Sequence, residues 1–165
     1  MNDTLVICDI QTSFPKVSQA YVEKVATWLA NNLHKYDEVH VLEYEGDSPT
    51  PDEIMGLVEQ HDQFYLHEKD QNDGSYHISQ YIPDIGDEPR KIDGIGLYAE
   101  ACLYQTAVGL KGIAHPKTAI NIFSDLTVTY NVSKTSLRSL YARHGIKFSP
   151  SSMNVRNRKS QRTQQ

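Results

Sequence analysis

Short apolar, β-rich runs alternate with amphipathic segments along most of the chain, and this constrains the fold more than any other feature. Thr4–Ile10 is an apolar run bounded by polar residues, the pattern of a strand covered on both faces. Val17, Tyr21, Val25, Trp28 and Leu29 then recur at helical spacing, predicting a helix that ends near Leu33. Glu38–Tyr44 (EVHVLEY) reads as a second strand. Thr50-Pro51-Asp52-Glu53 has the residue order of a capping box, with Ile54, Leu57 and Val58 as the apolar stripe behind it. Gln63–His67 is a third short strand, followed by Glu68-Lys69-Asp70.

Residues 71–90 are rich in Gly, Asp and Pro and read as a long loop with one short helix, anchored by Tyr76, Tyr81 and Ile82; loops of that length often carry function. Ile92–Leu97 gives a fourth strand. A helix is expected from Glu100 to about Gly109, and a fifth strand from Thr118 to Phe123, closed by Ser124-Asp125. Ser133–His144 is amphipathic and stops at Gly145, and Ile146–Phe148 adds a last strand. Strands alternating with helices imply right-handed βαβ units. The expected fold is therefore α/β: a three-layer, doubly wound, mostly parallel sheet of five to six strands.

At 165 residues the chain fits one domain, which the sequence places at residues 1–150. Residues 151–165 form a basic, polar tail with Arg156, Arg158, Lys159 and Arg162 and no acid. Without those four bases the net charge of −5 becomes −9, with 21 acids against the remaining bases. A body that acidic is not a nucleic-acid-binding surface. No stretch approaches the roughly 20 apolar residues of a membrane span. The N-terminal MNDTLVICDI lacks the basic flank and cleavage site of a signal peptide, so a cytoplasmic location is expected. Two cysteines in such a chain do not predict a disulfide.

In open parallel sheets, ligands bind beyond the C-terminal ends of the strands. The residues at those ends include Asp9 and Gln11, Glu43–Asp47, Lys69, Leu97–Cys102 and Asp125. A carboxylate, an ammonium and a thiol suffice for nucleophilic catalysis. Cys102 in the first turn of a helix lies at the positive end of its dipole, and Lys69 would add a second positive charge; both favour the thiolate. Asp9 could accept the thiol proton and later deliver it to a leaving nitrogen. Spacing alone leaves each a plainer role: inert packing for Cys102, a structural cap for Asp9 and a surface ion pair for Lys69.

Four segments, in order, resemble the isochorismatase-like cysteine hydrolases. LVICDIQTSF is similar to their opening strand, with Asp9, Gln11 and Phe14 at the matching positions. HEKDQNDGSY resembles the lysine segment, with Lys69 at the catalytic position and Tyr76 near the usual aromatic. IDGIGLYAEACLYQTAVGLKG resembles the nucleophile motif, with Gly96, Cys102, Thr106 and Ala107 in place. INIFSDLTVT matches the next strand, ending at Asp125. The resemblance runs from about Leu5 to Phe148. It implies Cys102 as nucleophile, Asp9 and Lys69 as its partners, and an oxyanion hole from the backbone amides of Tyr98 and Cys102. It also implies a cis peptide between Leu97 and Tyr98, a pocket that draws on Gln11, Phe14, Tyr76 and Tyr98, and a homo-oligomer, dimer or tetramer.

Family members that deaminate nicotinamide carry an Asp-x-His metal motif after the second strand. Here that region is LEYEGDSPTP, with Asp47 and no paired histidine; His61 and His67 do not restore it, so no metal and no cofactor are expected. Tyr98 replaces the small residue usual in the turn, and residues 70–90 look trimmed. The implied activity is hydrolysis of a C–N bond in a small amide or ureido compound through a Cys102 thioester. The alternatives are a non-catalytic binding or scaffold protein of the same fold and an isochorismatase-type vinyl-ether hydrolase.

Overall fold

A computed structural model describes residues 3–152. The basic tail from residue 153 onward lies outside the described residues. Six strands, β1 (Asp3–Cys8), β2 (Glu38–Tyr44), β3 (Phe64–Lys69), β4 (Lys91–Leu97), β5 (Ala119–Val128) and β6 (Lys147–Ser149), form one parallel sheet in the order β3-β2-β1-β4-β5-β6. The helices are α1 (Gln19–Asn32), α2 (Asp52–Val58), α3 (Ser75–Ser79), α4 (Cys102–Ile113) and α5 (Lys134–Ala142). No helix among the described residues is long and apolar enough to cross a membrane.

The unbroken apolar run of β1 has a direct cause. Leu5 and Ile7 pack with Val22, Val25 and Leu29 of α1 and Ile54 and Val58 of α2. Val6 and Cys8 face the other way, against Leu103, Ala107 and Leu110 of α4 and Leu137 and Tyr141 of α5. Successive side chains of a strand alternate between faces, so a strand covered on both must be apolar throughout. Chain connections leave β1 toward β2 on one side, while β4 lies on its other side. The crevice beyond the ends of β1 and β4 is therefore the sheet's topological switch point. At the opposite end, Arg90 ties Thr4 and Glu38 together, and Asp93 accepts from Tyr36 and Asn121. Those buried polar groups fasten the strand starts.

Three local expectations change. Thr50 does not cap α2: its amide and hydroxyl both donate to Glu43 Oε2 (2.9 and 3.2 Å), and Pro51 stands at the cap position. A carboxylate already pointing out of β2 outcompetes the local cap. The fourth helix starts at Cys102, not Glu100, and continues through Gly109 to Ile113. Gly109 is there because a Cβ would lie 2.3 Å from Ser75 Oγ, so only glycine lets α3 close on α4. The fifth strand runs on to Val128, with Asp125 inside it rather than beyond it.

Gly96, near the end of β4, is fixed by two constraints. Its φ is +114°, and a Cβ would lie 2.1 Å from the Cys8 carbonyl oxygen on neighbouring β1. Gly96→Ala is expected to destabilise the protein by about 3–5 kcal/mol, combining a left-handed φ with a backbone clash that cannot relax. Urea unfolding of the two proteins measures it; a loss under 1 kcal/mol would contradict this packing.

Candidate active site

Three strand ends supply the site. β1 ends at Cys8, and the chain turns at Asp9, whose φ is +54°, in the left-handed region rarely adopted by residues other than glycine. Asp9 is 1 % exposed and its amide donates to Leu42 O. Lys69 is the last residue of β3, also 1 % exposed. From the edge of the sheet it reaches past β2, where its Nζ lies 4.4 Å from the Tyr44 ring centroid. That Nζ donates to Asp9 Oδ2 at 2.8 Å and to Gln71 O at 3.0 Å. β4 ends at Leu97, followed by a cis Leu97–Tyr98 peptide and a turn into α4, whose first residue is Cys102.

The turn leaves two amides for the sulfur's surroundings. Tyr98 O accepts from Ala101 and Leu103, and Gln105 N–H goes to Ala101 O. The Tyr98 N–H points toward the Cys102 sulfur. The Cys102 N–H, in the first turn of α4 where no intrahelical acceptor exists, meets no acceptor among the described residues.

The charge balance differs from the expected thiolate. Burial, followed by the negative charge of Asp9, pushes the Cys102 thiol up to about 11, and the opposing pull of Lys69 does not compensate. The resting sulfur is a protonated thiol at neutral pH. Asp9 is itself raised above the usual carboxylate range by burial, with the Lys69 ammonium working against that shift. Burial disfavours the Lys69 ammonium, but Cys8, Asp9 and the hydrogen bond to Asp9 outweigh it and hold the group above its usual value. Asp9 Oδ1 is buried and has no hydrogen-bond partner. A protonated thiol beside a carboxylate with a free oxygen is suited to proton transfer during attack, not to a preformed thiolate. Cys8, next door on β1, is raised well above an ordinary thiol by burial.

The four pocket candidates separate. Phe14 and Tyr98 come together with ring centroids 6.0 Å apart, and Tyr98 also meets Tyr130 edge-on at 5.7 Å. Gln11 spends its amide on the backbone: Nε2 donates to Tyr44 O and Ser48 O, and Oε1 accepts from Tyr44 N. It latches the loop after β2. Tyr76 lies on α3, is 70 % exposed and has its ring against His77; among the described residues no contact joins it to Asp9, Lys69 or Cys102. Asp125 accepts from the amide and hydroxyl of Ser151, fastening the chain after β6.

The nicotinamide-deaminating metal motif has no counterpart in these residues. Asp47 accepts from Ser13, His61 bonds Tyr36 O, and His67 pairs with His40 at 2.9 Å. Among the described residues no group of three or more His, Cys, Asp or Glu could hold a metal ion.

One neighbour of the sulfur had no sequence signal. Asn72, in the loop after β3, accepts from the Cys102 thiol at 3.2 Å. Nothing in Gln71-Asn72-Asp73 distinguishes it from its neighbours before the fold turns it inward.

Asp9, Lys69 and Cys102 stand together at the switch point of a doubly wound parallel sheet, and solved structures give the fold a name. The chain is similar to the nicotinamidase SaPncA of Staphylococcus aureus, with 12 % identity over 90 % of this chain and 99 % of that one and a TM-score of 0.69. It is similar to the MAR1 ribonuclease of Caenorhabditis elegans, with 12 % identity over 93 % and 79 % and a TM-score of 0.72. N-carbamoylsarcosine amidase of Thermoplasma acidophilum matches with 17 % identity over 92 % and 97 % and a TM-score of 0.63. Comparison with protein-family models and with curated proteins gives no match. The chain has the α/β fold of the isochorismatase-like hydrolases. Their names span different reactions, so the fold leaves the chemistry to the residues.

Proposed function

We propose that this protein is a cysteine hydrolase that cleaves a C–N bond of a small amide or ureido compound. The observation that supports it is the buried 2.8 Å pair of Lys69 and Asp9 beside Cys102, with a carboxylate oxygen left unpartnered. A buried charge pair rarely stabilises a fold over apolar packing, so its place at the sheet's switch point, beside a thiol, points to a task.

In this reading Asp9 Oδ1 takes the thiol proton as the sulfur bonds to the substrate carbonyl carbon. The carbonyl electron pair moves onto oxygen, and the amides of Tyr98 and Cys102 hold that oxyanion. Asp9 returns the proton to nitrogen, the C–N bond breaks, and ammonia or an amine leaves a thioester on Cys102. Water, deprotonated by Asp9, then releases the acid and restores the thiol. Lys69 keeps Asp9 ionised and aimed. Phe14 and Tyr98 line the approach. The same proposal includes assembly as a dimer or tetramer and a cytoplasmic location.

Vinyl-ether hydrolysis requires no thiol, so it leaves Cys102 without a role. A binding protein of this fold is favoured by one observation, the Tyr98 ring standing between Phe14 and Tyr130 at the turn. Intact-mass measurement after incubation with a panel of small amides and ureido acids separates the readings. The expected result is a transient acyl mass on the peptide containing Cys102 with release of ammonia or amine. No adduct and no release across the panel would favour the binding protein.

A further inference from the structure

The Cys102 thiol has two acceptors within its surroundings and uses the one not assigned by the proposed mechanism. Its S–H donates to Asn72 Oδ1 at 3.2 Å, while the Asp9 carboxylate also lies within the thiol's reach and its buried Oδ1 is engaged by no other donor. We propose that Asn72 is a positioning residue that holds the Cys102 proton in the resting protein in competition with Asp9, so that the nucleophile is engaged only when the S–H passes from the amide oxygen to the carboxylate. This rests on the cysteine-hydrolase reading and adds a regulatory element to that site.

The backbone around Asn72 is built for the purpose. Gln71 O accepts from Lys69 Nζ at 3.0 Å. Thr106 of α4 donates to Asn72 O at 3.4 Å and accepts from Gly74 N at 2.9 Å. Asp73 Oδ1 accepts from Ser75 N at 2.8 Å, and the close approach at Gly109 seats α3 on α4. Residues 71–75 are thus tied at one end to the lysine and at the other to the cysteine's own helix. The Asn72 backbone cannot drift from the cysteine's helix without breaking those bonds.

An amide oxygen accepts only from the protonated sulfur, and a hydrogen bond to the neutral form opposes ionisation. The other groups facing the sulfur are Asp9 and Cys8 from β1, Lys69 from β3, and the Tyr98 amide and phenol from the turn after β4. Only Lys69 among them is cationic, and it is held by Asp9. Release therefore requires no structural change: the S–H turns about the Cβ–Sγ bond from Asn72 Oδ1 to Asp9 Oδ1, with no covalent bond altered.

The test follows the thiol rather than turnover. Iodoacetamide labelling of Cys102 is measured by peptide mass at several pH values, with Cys8 as the internal report on loosening of the fold. Thiolate absorbance is titrated in parallel. Asn72→Leu keeps the bulk and removes the acceptor, and Asn72→Asp keeps the bulk and adds charge. Loss of one neutral hydrogen bond should raise Cys102 labelling about threefold to tenfold at pH 8 in Asn72→Leu and move the thiolate titration to lower pH. Asn72→Asp should slow labelling and move the titration to higher pH. Unchanged or slower labelling in Asn72→Leu, both variants shifting the same way, or Cys8 labelling rising in step with Cys102 would each overturn the proposal. Because no readout uses a substrate, failure of the amide panel leaves these results intact, and failure here leaves acylation untouched.

Discussion

Cys102→Ala is expected to abolish the acyl adduct and to lower hydrolysis of any cleaved panel compound at least about 10³-fold, as removal of a nucleophile does elsewhere. The substitution deletes one sulfur at a site 8 % exposed, at the rim of the core. Stability should therefore change by less than about 1.5 kcal/mol, the scale of a conservative core change. Lost turnover with a retained melting temperature separates chemistry from folding. Undiminished turnover would remove the sulfur from the mechanism. The same variant supplies the baseline for thiolate absorbance, since Cys8 remains.

Lys69→Met should damage both stability and activity. The ammonium is the hydrogen-bonding counter-charge of a carboxylate that is 1 % exposed. Breaking a buried pair on one side leaves an uncompensated charge and costs about 3–5 kcal/mol. The loss has a defined pH dependence. Asp9 is already raised by burial, and removing Lys69 raises it further above its unfolded value. Through that window the folded state holds the proton that the unfolded state releases, so stability falls as pH rises from the unfolded carboxylate range toward neutrality. Chemical unfolding of Lys69→Met should show the larger loss at pH 7.5 than at pH 4.5. Adding Asp9→Asn should recover much of it. An equal loss at both pH values would mean that packing of the lysine stem, and not charge, dominates.

Much of this architecture is legible in the chain. The double-sided burial of β1 dictates its unbroken apolar run, and the order of strands and helices dictates parallel pairing. The strand ends then place Asp9, Lys69 and the Cys102 turn at one rim. What sequence could not supply were outcomes decided by competing partners across the fold. Thr50 looked like a cap because its local context permits one, yet Glu43 takes both of its donors. Gln11 looked available for substrate until Tyr44 and Ser48 engaged its amide. The thiolate expectation weighed the helix end and Lys69 but had no measure of burial, which with Asp9 outweighs them. Asn72 is one polar residue among several in its loop, and only its contact with the Cys102 thiol, with Thr106 on its carbonyl, singles it out.

Lys69 sits on β3, an edge strand, which is paired on one side only. Rim strands open more readily than central ones, because fewer contacts hold them. The centre thus takes its counter-ion from an edge strand, while Asp9 follows the central strand β1 and Cys102 opens the helix after β4. Detachment of β3 would strip Asp9 of its partner while the central strands were still paired. The integrity of the charge pair is therefore set by how firmly that rim is held, and whatever covers the rim strengthens the centre without touching it.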